Sequence, residues 1–390
     1  MAEQRKLRVG MVGGGGPSNF FGAPHRAAIL MDNTAELCAG ALRSNPEESI
    51  ASARQLHFTR GYGDYQTMMR DEAALPADAR MDYVTIVTPN DSHYAVAKAA
   101  LEAGFPVLCE KPLTLTLAES QELVSLASER GLPFVVAYTY TGLPMVMLAR
   151  EMVLRGDVGE VRKVEAWYPQ GWLATRAEDE GSQQAGWRVD PAKAGASGCG
   201  GDIGTHAYEF VRFVAGCTAT EVQARLHTFV KGRALDDDFT VLARLDNGGI
   251  ATVTASQVTI GAQNDNGFRI VGTKATVEWN MTDHLTLKFY NTDGTVTLYR
   301  QGAGYPAFPQ SMAPYLRLPA GHPEGFHEAL ANLHKTLQLQ IRRRNGEDVP
   351  DAYPHPGVED GAAGMAFIEA AVRSSNNDGA WTDVTPVRLP

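Results

Sequence analysis

Asp202 and His206 stand four residues apart in the stretch GDIGTH, and their side-chain types can carry proton chemistry. If this stretch is helical, both side chains project from one face. An imidazole beside a carboxylate can act as a general base, with the carboxylate orienting or charging it. The alternative is structural: an aspartate at a helix start and a satisfied histidine. A single D-x-x-x-H pattern favours that alternative.

Two further motifs follow apolar, strand-like runs. TPNDSH (88–93) follows the run that begins at 82, and Glu110-Lys111-Pro112 follows 105–109. Ligands bind beyond the carboxyl ends of strands in open α/β sheets. Lys111 is therefore a candidate for contact with a reacting centre, although position alone favours an ordinary surface lysine. The residues expected to face a ligand at this edge are Thr88, Asn90, His93, Glu110 and Lys111.

A glycine-rich turn follows the first apolar run, 7–13. Glycines at a strand-to-helix turn let the backbone approach a pyrophosphate, which then lies at the positive end of the helix. The spacing departs from G-x-G-x-x-G, because the next glycine after Gly16 is Gly22 and the intervening residues resemble a small insertion. The candidate dinucleotide contacts in this turn are Gly13, Gly15, Gly16 and Phe21.

The end of the second apolar run bears on the choice of cofactor. Sites that prefer NAD place an acidic residue there to bind the ribose 2′-hydroxyl, and none occurs before Glu47. Arg43 and Ser44 could instead bind a 2′-phosphate. The cofactor is therefore expected to be NAD or NADP, with a modest preference for NADP; a solvated Arg43 is the competing interpretation.

Aromatic and hydrogen-bonding side chains near these motifs are candidates for a sugar pocket, since sugar sites combine the two. The candidates are Tyr140, Trp172, Trp187, Arg188 and His322, although core packing is the commoner role of any one aromatic residue. Asp236, Asp237 and Asp238 are interpreted as a solvated strand entry. No metal site is expected there, because no further ligand has suitable spacing.

The elements that position these residues follow from the apolar pattern. Through the first 142 residues, strand-like runs alternate with helical segments, which predicts a parallel sheet with helices on both faces. After about residue 145, eight strand-like segments follow one another, joined by turns such as DNGG and NTDG. The fold class is α/β: a Rossmann domain (1–142) and an α+β domain (143–390) with a large open mixed or antiparallel sheet. The C-terminal helix is expected to pack back on the first domain.

Composition excludes several classes of protein. The net charge is −10, whereas nucleic-acid-binding proteins are typically basic. No uninterrupted apolar run is long enough to span a membrane, and the start of the sequence shows no secretory leader. The four cysteines form no C-x-x-C pair, which fits a reducing compartment. The expected location is the cytoplasm.

The whole set of motifs resembles the Gfo/Idh/MocA family, which includes glucose-fructose oxidoreductase and inositol dehydrogenase. The resemblance rests on the glycine turn, TPNDSH, Glu110-Lys111-Pro112 and WRVDP followed by GGDIGTH, and it covers essentially the whole chain. It implies a dehydrogenase of carbohydrate metabolism that moves a hydride between NAD(P) and a secondary hydroxyl of a sugar, glycoside or inositol-like polyol. It also implies a homodimer or homotetramer built through the second sheet.

The resemblance implies catalytic roles for three residues. Lys111 lies beside the nicotinamide and the substrate hydroxyl, His206 is the general base, and Asp202 binds substrate or orients the pair. Asp202, His206 and Arg188 are also expected to contact the substrate. The chain departs from the family pattern at TYTGLP (139–144), which suggests a differently shaped entrance. A redox-assisted glycoside-cleaving enzyme and a non-catalytic sugar sensor are the competing functions; retention of all three residues argues against the sensor.

Overall fold

Six parallel strands form the first sheet of the molecule, which a computed structural model describes for residues 5–16 and 19–388. The strands are β1 (Leu7–Gly13), β2 (Ala35–Ala41), β3 (Arg60–Gly61), β4 (Tyr83–Val87), β5 (Val107–Cys109) and β6 (Phe134–Val136). Their order is β3-β2-β1-β4-β5-β6, so the order reverses between β1 and β4. This confirms the predicted Rossmann sheet, and in open sheets of this kind ligands bind at such a reversal.

Five helices connect these strands: α1 (Gly22–Met31), α2 (Pro46–Gln55), α3 (Tyr65–Ala74), α4 (His93–Glu102) and α5 (Leu117–Arg130). α5 begins with a capping box between Thr116 and Glu119 and ends at Gly131, where φ is 57°. β3 and α3 were not predicted. β3 has only two residues, and α3 buries the charged Glu72, whose carboxylate pairs with Arg60 at 2.6 Å, so its pattern lacks an apolar stripe.

Nine strands form the second sheet. They are β7 (Val161–Pro169), β8 (Ala219–His227), β9 (Asp238–Leu245), β10 (Ile250–Ser256), β11 (Gly267–Gly272), β12 (Ala275–Asn280), β13 (Thr286–Asn291), β14 (Val296–Arg300) and β15 (Thr382–Asp383). The order is β14-β13-β12-β11-β7-β10-β9-β8-β15. β7 and β10 pair in parallel and the other neighbours are antiparallel, which confirms the predicted mixed sheet. Alternate residues of β7 are buried, because helices cover one face only.

The remaining helices are α6 (Pro144–Leu154), α7 (Gln183–Arg188), α8 (Pro191–Ala194), α9 (Thr205–Glu209), α10 (Phe326–Arg344) and α11 (Val358–Asn376). Wide π-type turns flank α9 at Gly200–Gly204 and Phe210–Val214, so 200–214 forms one continuous helical stretch. The segment between β14 and α10 contains a short 3₁₀ helix, Gln310–Tyr315, which buries Met312 and Tyr315.

α10 lies against the first sheet although it follows eight of the nine strands of the second sheet in sequence. Its side chains Leu330, Leu333 and Leu337 share a core with Val9 of β1 and Leu108 of β5. α11 spans the two halves, with its first turn in the core of the first sheet and its later turns under the second. The predicted boundary at 142/143 stays a prediction, but the packing of α10 makes the first domain discontinuous in sequence.

Residues 5–16 and 19–388 include no helix that is long and apolar enough to cross a membrane. The four cysteines are buried and free, and burial raises the pKa of the Cys38 thiol to about 11. Such thiols stay protonated and pack as small apolar side chains.

Candidate active site

The glycine turn lies where β1 ends beside β4. Gly13 and Gly14 have φ values of 86° and 74°, a conformation that other residues rarely adopt. A Cβ on Gly15 would lie 2.6 Å from the carbonyl oxygen of Leu42, so only glycine fits there. Arg26 of α1 holds the turn by donating to the carbonyl oxygens of Gly14 (2.7 Å) and Gly16 (2.9 Å).

The start of α1 faces this turn. Asn19 accepts hydrogen bonds from the backbone N–H groups of Phe21 (3.2 Å) and Gly22 (2.9 Å), and Gly22 packs against Gly14. Pro17 and Ser18 of the predicted insertion lie outside the described residues. The close backbone approach, the positive-φ glycines and the helix start together fit the pyrophosphate of a dinucleotide.

Arg43 and Ser44 lie exposed just after β2, beside the same turn. The side chain of Arg43 would contact a Cβ on Gly15, and its Nε donates to the hydroxyl of Ser52 at 2.9 Å. Arg43 also lies 3.8 Å from the Glu48 carboxylate. The guanidinium is therefore oriented along the edge of the cofactor cleft and remains accessible to a charged ligand.

The TPNDSH motif follows β4. The His93 ring is fully buried, and its two nitrogens face the carbonyl oxygens of Pro112 (2.8 Å) and Thr88 (2.9 Å). Burial lowers the pKa of His93. These contacts connect the loop after β4 to the loop after β5. Because both ring nitrogens of His93 face backbone carbonyl oxygens, neither points toward a ligand. The buried Thr88 hydroxyl has no hydrogen-bond partner among the described residues. Asn90, two residues further along the chain, is also buried.

Lys111 joins the two domains. It follows β5, and its ammonium donates to the carbonyl oxygen of Asp202 at 2.7 Å and to the Asp202 carboxylate at 2.9 Å. The Lys111 side chain is only 7% exposed. A buried ammonium on a carboxylate is held in one place, which is the condition for acting on a reacting oxygen.

Asp202 is the centre of the site. Its second carboxylate oxygen accepts from Arg188 Nε (3.0 Å) and from the Gln257 side-chain amide (2.9 Å). Burial acts to raise the pKa of Asp202, but the charges of Arg188 and Lys111 outweigh it and hold the pKa well below its usual range. The carboxylate is therefore ionised and rigid, and it orients two cations that come from different elements.

His206 lies one helical turn beyond Asp202, on the same helical stretch, as the spacing predicts. Its ring packs edge-on against Tyr138 and Tyr140, with centroids 5.6 and 5.1 Å away, and lies 5.8 Å from Tyr168. Burial, together with the charge of Lys111, lowers the pKa of His206 well below its usual value, although Asp202 opposes the shift. The imidazole is thus neutral at physiological pH and able to accept a proton.

Hydroxyl and amide groups line the site beyond His206. The Tyr140 and Tyr168 hydroxyls are 2.5 Å apart, and the Tyr168 hydroxyl donates to the side-chain oxygen of Asn264 at 3.2 Å. Gln170 also donates to Asn264 and accepts from the Trp172 indole at 3.0 Å. Such an array can exchange its hydrogen bonds for those of a polyhydroxylated molecule.

The structure brings together most of the predicted substrate contacts. Arg188 lies over the rings of Trp187 (4.1 Å) and Trp172 (5.7 Å) while it bonds Asp202. His322 differs, because it is exposed and its ring nitrogen lies 3.3 Å from the Pro319 carbonyl oxygen, within its own loop. His322 as a substrate contact stays a prediction to which the structure adds no support.

Sequence reasoning missed Gln257 and Tyr168. Tyr168 lies near the end of β7, and Gln257 directly follows β10. Because β7 and β10 are parallel, with Tyr168 opposite Ala255, their carboxyl ends meet at one edge of the sheet. A parallel pair inside a mixed sheet was the signal that could have located them.

The interpretation of the three acids as a solvated strand entry was wrong for Asp236 and Asp237, whereas Asp238 is partly exposed and begins β9. Asp236 is buried and accepts from the backbone N–H groups of Gly198 (2.8 Å) and Gly200 (3.0 Å). Asp237 is buried too, and it lies 3.4 Å from Arg233. Asp236 thereby fixes the loop that leads into the helix of Asp202, whereas Asp237 accepts from the backbone N–H groups of Phe229 and Val230. In the described part of the chain, no cluster of three His, Cys, Asp or Glu residues could hold a metal ion.

Comparison with known families gives matches over both domains. Residues 7–138 match the oxidoreductase family model with an NAD-binding Rossmann fold, and residues 146–278 match the GFO/IDH/MocA C-terminal domain.

Individual proteins match over almost the whole chain. The uncharacterized oxidoreductase YfiI of Bacillus subtilis is 36% identical, with 97% of each chain covered. Levoglucosan dehydrogenase of Pseudarthrobacter phenanthrenivorans is 28% identical, covering 98% of this chain and 99% of that protein. The crystal structure of an inositol dehydrogenase homolog from Azotobacter vinelandii, complexed with NADH and myo-inositol, superposes with a TM-score of 0.87 at 31% identity, covering 97% and 98% of the two chains.

Proposed function

Because this chain belongs to the GFO/IDH/MocA family of NAD-binding oxidoreductases, we propose that it oxidises a secondary hydroxyl of a sugar, glycoside or inositol-like polyol. The names of its relatives support this substrate class, since levoglucosan is an anhydrosugar and myo-inositol a cyclic polyol. The bound cofactor supplies the hydride acceptor, and the protein supplies orientation, electrostatics and proton transfer.

The observation that carries the proposal is the buried Lys111–Asp202 pair beside the neutral imidazole of His206. A substrate hydroxyl bound against this group can lose its proton to His206 while the Lys111 ammonium stabilises the developing oxyanion. Asp202 holds Lys111 and Arg188 in position for this step. Tyr140, Trp172, Trp187 and Arg188 then form the proposed sugar-binding surface, with the glycine turn, Phe21, Thr88 and Asn90 on the cofactor side.

The test is a titration of the purified protein with NADH and NADPH, followed by a screen of inositols, aldoses and glycosides for nicotinamide absorbance. Binding of the reduced cofactor together with net reduction of NAD(P) by a polyol supports the proposal. If the protein binds the reduced cofactor but none of these compounds reduces NAD(P), the proposal is contradicted. That result favours the redox-assisted glycoside-cleaving enzyme or the sensor.

The neutral state of His206 has a consequence for pH dependence. Because burial lowers its pKa below the ordinary value of 6.5, His206 gains a proton only in more acidic solution. The kcat for polyol oxidation should therefore show no His206-dependent inflection near pH 6.5. The measurement is kcat against pH in the wild type and in His206→Asn. An acid limb near 6.5 that is present in the wild type and absent from the variant would contradict this prediction.

We propose that Arg43 and Ser44 favour NADP by binding its 2′-phosphate. Arg43→Ala should weaken NADPH binding about ten-fold or more and NADH binding about two-fold or less, because a charge-assisted bond to phosphate is lost only with NADPH. Fluorescence titration measures both affinities, and Arg54→Ala on the neighbouring helix α2 is the control. Equal weakening of both cofactors would refute the assignment.

We also propose a homodimer or homotetramer in the cytoplasm. The surface that we propose for the assembly is the helix-free face of the second sheet, where Arg269 pairs with Glu165 at 3.4 Å and with Glu278 at 2.5 Å. Light scattering of the purified protein measures the molecular mass directly, and a monomer would contradict the proposed assembly.

A further inference from the structure

A chain of hydrogen bonds runs from the loop after β5, which contains Lys111, through the core of the first domain. Its members are polar side chains of which all but the last are buried, and they are, in order, Glu110, His25, His334, Tyr83, Gln338 and Thr34. The successive distances between their polar atoms are 2.9, 3.0, 3.1, 3.3 and 2.7 Å. None of the five beyond Glu110 takes part in the proposed chemistry.

The chain ties together elements that are far apart in sequence. His25 lies in the first turns of α1, the helix that faces the glycine turn, and Glu110 directly follows β5 and precedes Lys111. His334 and Gln338 stand one turn apart on α10, and Tyr83 begins β4. The two imidazoles therefore connect α1, the loop after β5 and α10 at one point in the core.

The hydrogen-bonding capacity of the two ends fixes the direction of the chain. The amide N–H of Gln338 donates to the Tyr83 oxygen, so the Tyr83 hydroxyl donates to Nδ1 of His334. His334 Nε2 then donates to Nδ1 of His25, and His25 Nε2 donates to the Glu110 carboxylate. Every donor points toward Glu110, so each imidazole carries its proton on Nε2.

This direction gives each imidazole one donor and one acceptor nitrogen and lets the Glu110 side chain accept. Burial, and the neighbouring His25, lower the pKa of His334 well below its usual value. Glu110 is buried and uses its other oxygen to accept from the backbone N–H of Lys111 at 3.3 Å. A buried carboxyl group needs such hydrogen-bond donors. Loss of the His25 donor would free Glu110 to turn, and Lys111 would lose its fixed support.

We propose that His25 and His334 are positioning residues for the dehydrogenase reaction, which hold the Glu110 side chain in one orientation and thereby set the position of Lys111. The inference rests on the proposed function, because it takes Lys111 as the group that acts on the substrate hydroxyl. Neither histidine touches the reacting atoms; each acts through Glu110.

The kinetic test compares His25→Leu with His25→Gln. Leucine removes the donor to Glu110, and kcat should fall roughly 10- to 100-fold, with the NADH dissociation constant and KM within about three-fold. Glutamine keeps an N–H donor and should restore kcat to within about five-fold. An unchanged kcat in His25→Leu overturns the proposal, even if the melting temperature falls. Weaker NADH binding with an unchanged kcat at saturating cofactor also overturns it, because His25 would then act through the position of α1.

Glu110→Gln shows whether the effect passes through Glu110. If it does, adding His25→Leu to Glu110→Gln should lower kcat by less than about two-fold further. If the two substitutions lower kcat by independent factors that multiply in the double variant, the proposed route is overturned.

A readout without turnover is the ¹⁵N NMR spectrum of the histidine-labelled protein, with His25 and His334 assigned from their glutamine variants. At about pH 8 both imidazoles should carry a single proton, at Nε2. A charged imidazole or a proton on Nδ1 of either residue would overturn the proposed chain, whichever substrate the enzyme uses. Failure of the wild type to oxidise any sugar or polyol would instead contradict the proposed function.

Discussion

Replacing Lys111 by methionine should lower kcat about 10³-fold or more and leave the NADH dissociation constant within about three-fold. The ammonium is the group that meets the developing oxyanion, and methionine keeps much of its length and apolar stem. The fold should tolerate the change, because Asp202 keeps Arg188 and Gln257 as partners. Steady-state kinetics with the polyol found in the screen, together with NADH titration, measure both quantities.

The matched control for this experiment is Lys163→Met. Lys163 is a half-exposed lysine of β7 that pairs with Glu165 on the second sheet, so its loss should leave kcat within about two-fold. If Lys111→Met retained kcat within a few-fold, the assignment of Lys111 as a catalytic residue would be wrong. A loss of NADH binding equal to the loss of kcat would point to a role in holding the cofactor instead.

Asp202→Asn should lower both kcat and stability. The asparagine keeps the shape of the side chain but leaves the buried cations Lys111 and Arg188 without their counter-charge, so we expect a loss of about 3 kcal/mol in the free energy of unfolding. The kcat should fall about 10²-fold or more, because Lys111 loses the group that orients it. Denaturant unfolding and steady-state kinetics measure the two effects.

The pH dependence of this stability difference has a definite sign. The folded-state pKa of Asp202 lies below the ordinary value of 3.8, so the carboxylate contributes stability that is fully present above that pH. It is lost only as the pH falls through the lowered pKa. The difference between the wild type and Asp202→Asn should therefore be constant across neutral pH.

Asp190→Asn provides the control for the Asp202 experiment. Asp190 caps α8 through the N–H of Ala192 at 3.0 Å, and asparagine caps a helix as well as aspartate does. An Asp202→Asn protein as stable and active as this control would show that the buried charge is dispensable.

Motif spacing could predict the residues of the site that lie close in sequence or at strand ends. Asp202 and His206 are one helical turn apart, and Lys111 follows an apolar strand, so local periodicity predicted one helix face and a strand end for them. Their catalytic roles were implied only by the family resemblance. The pairing of Lys111 with Asp202 across 91 residues was implied only by the family resemblance, since no local pattern encodes it.

The contacts that were not predicted depend on tertiary packing. Gln257 reaches Asp202 because β7 and β10 are parallel within a mostly antiparallel sheet, and strand order is not visible in alternation. Asp236 was misinterpreted because its partners are backbone N–H groups, which no side-chain pattern reveals. The burial of charged residues is set by such partners rather than by residue type.

The place of α10 in the first core also constrains how the chain folds during synthesis. Leu330, Leu333 and Leu337 complete the apolar layer behind β1 and β5, so a nascent chain that ends before this helix leaves that layer open to water. The core of the first sheet therefore stays incomplete while eight of the nine strands of the second sheet, β7–β14, leave the ribosome. Domains usually complete folding in the order of their synthesis; in this protein the first domain cannot be completed until most of the second has been synthesised.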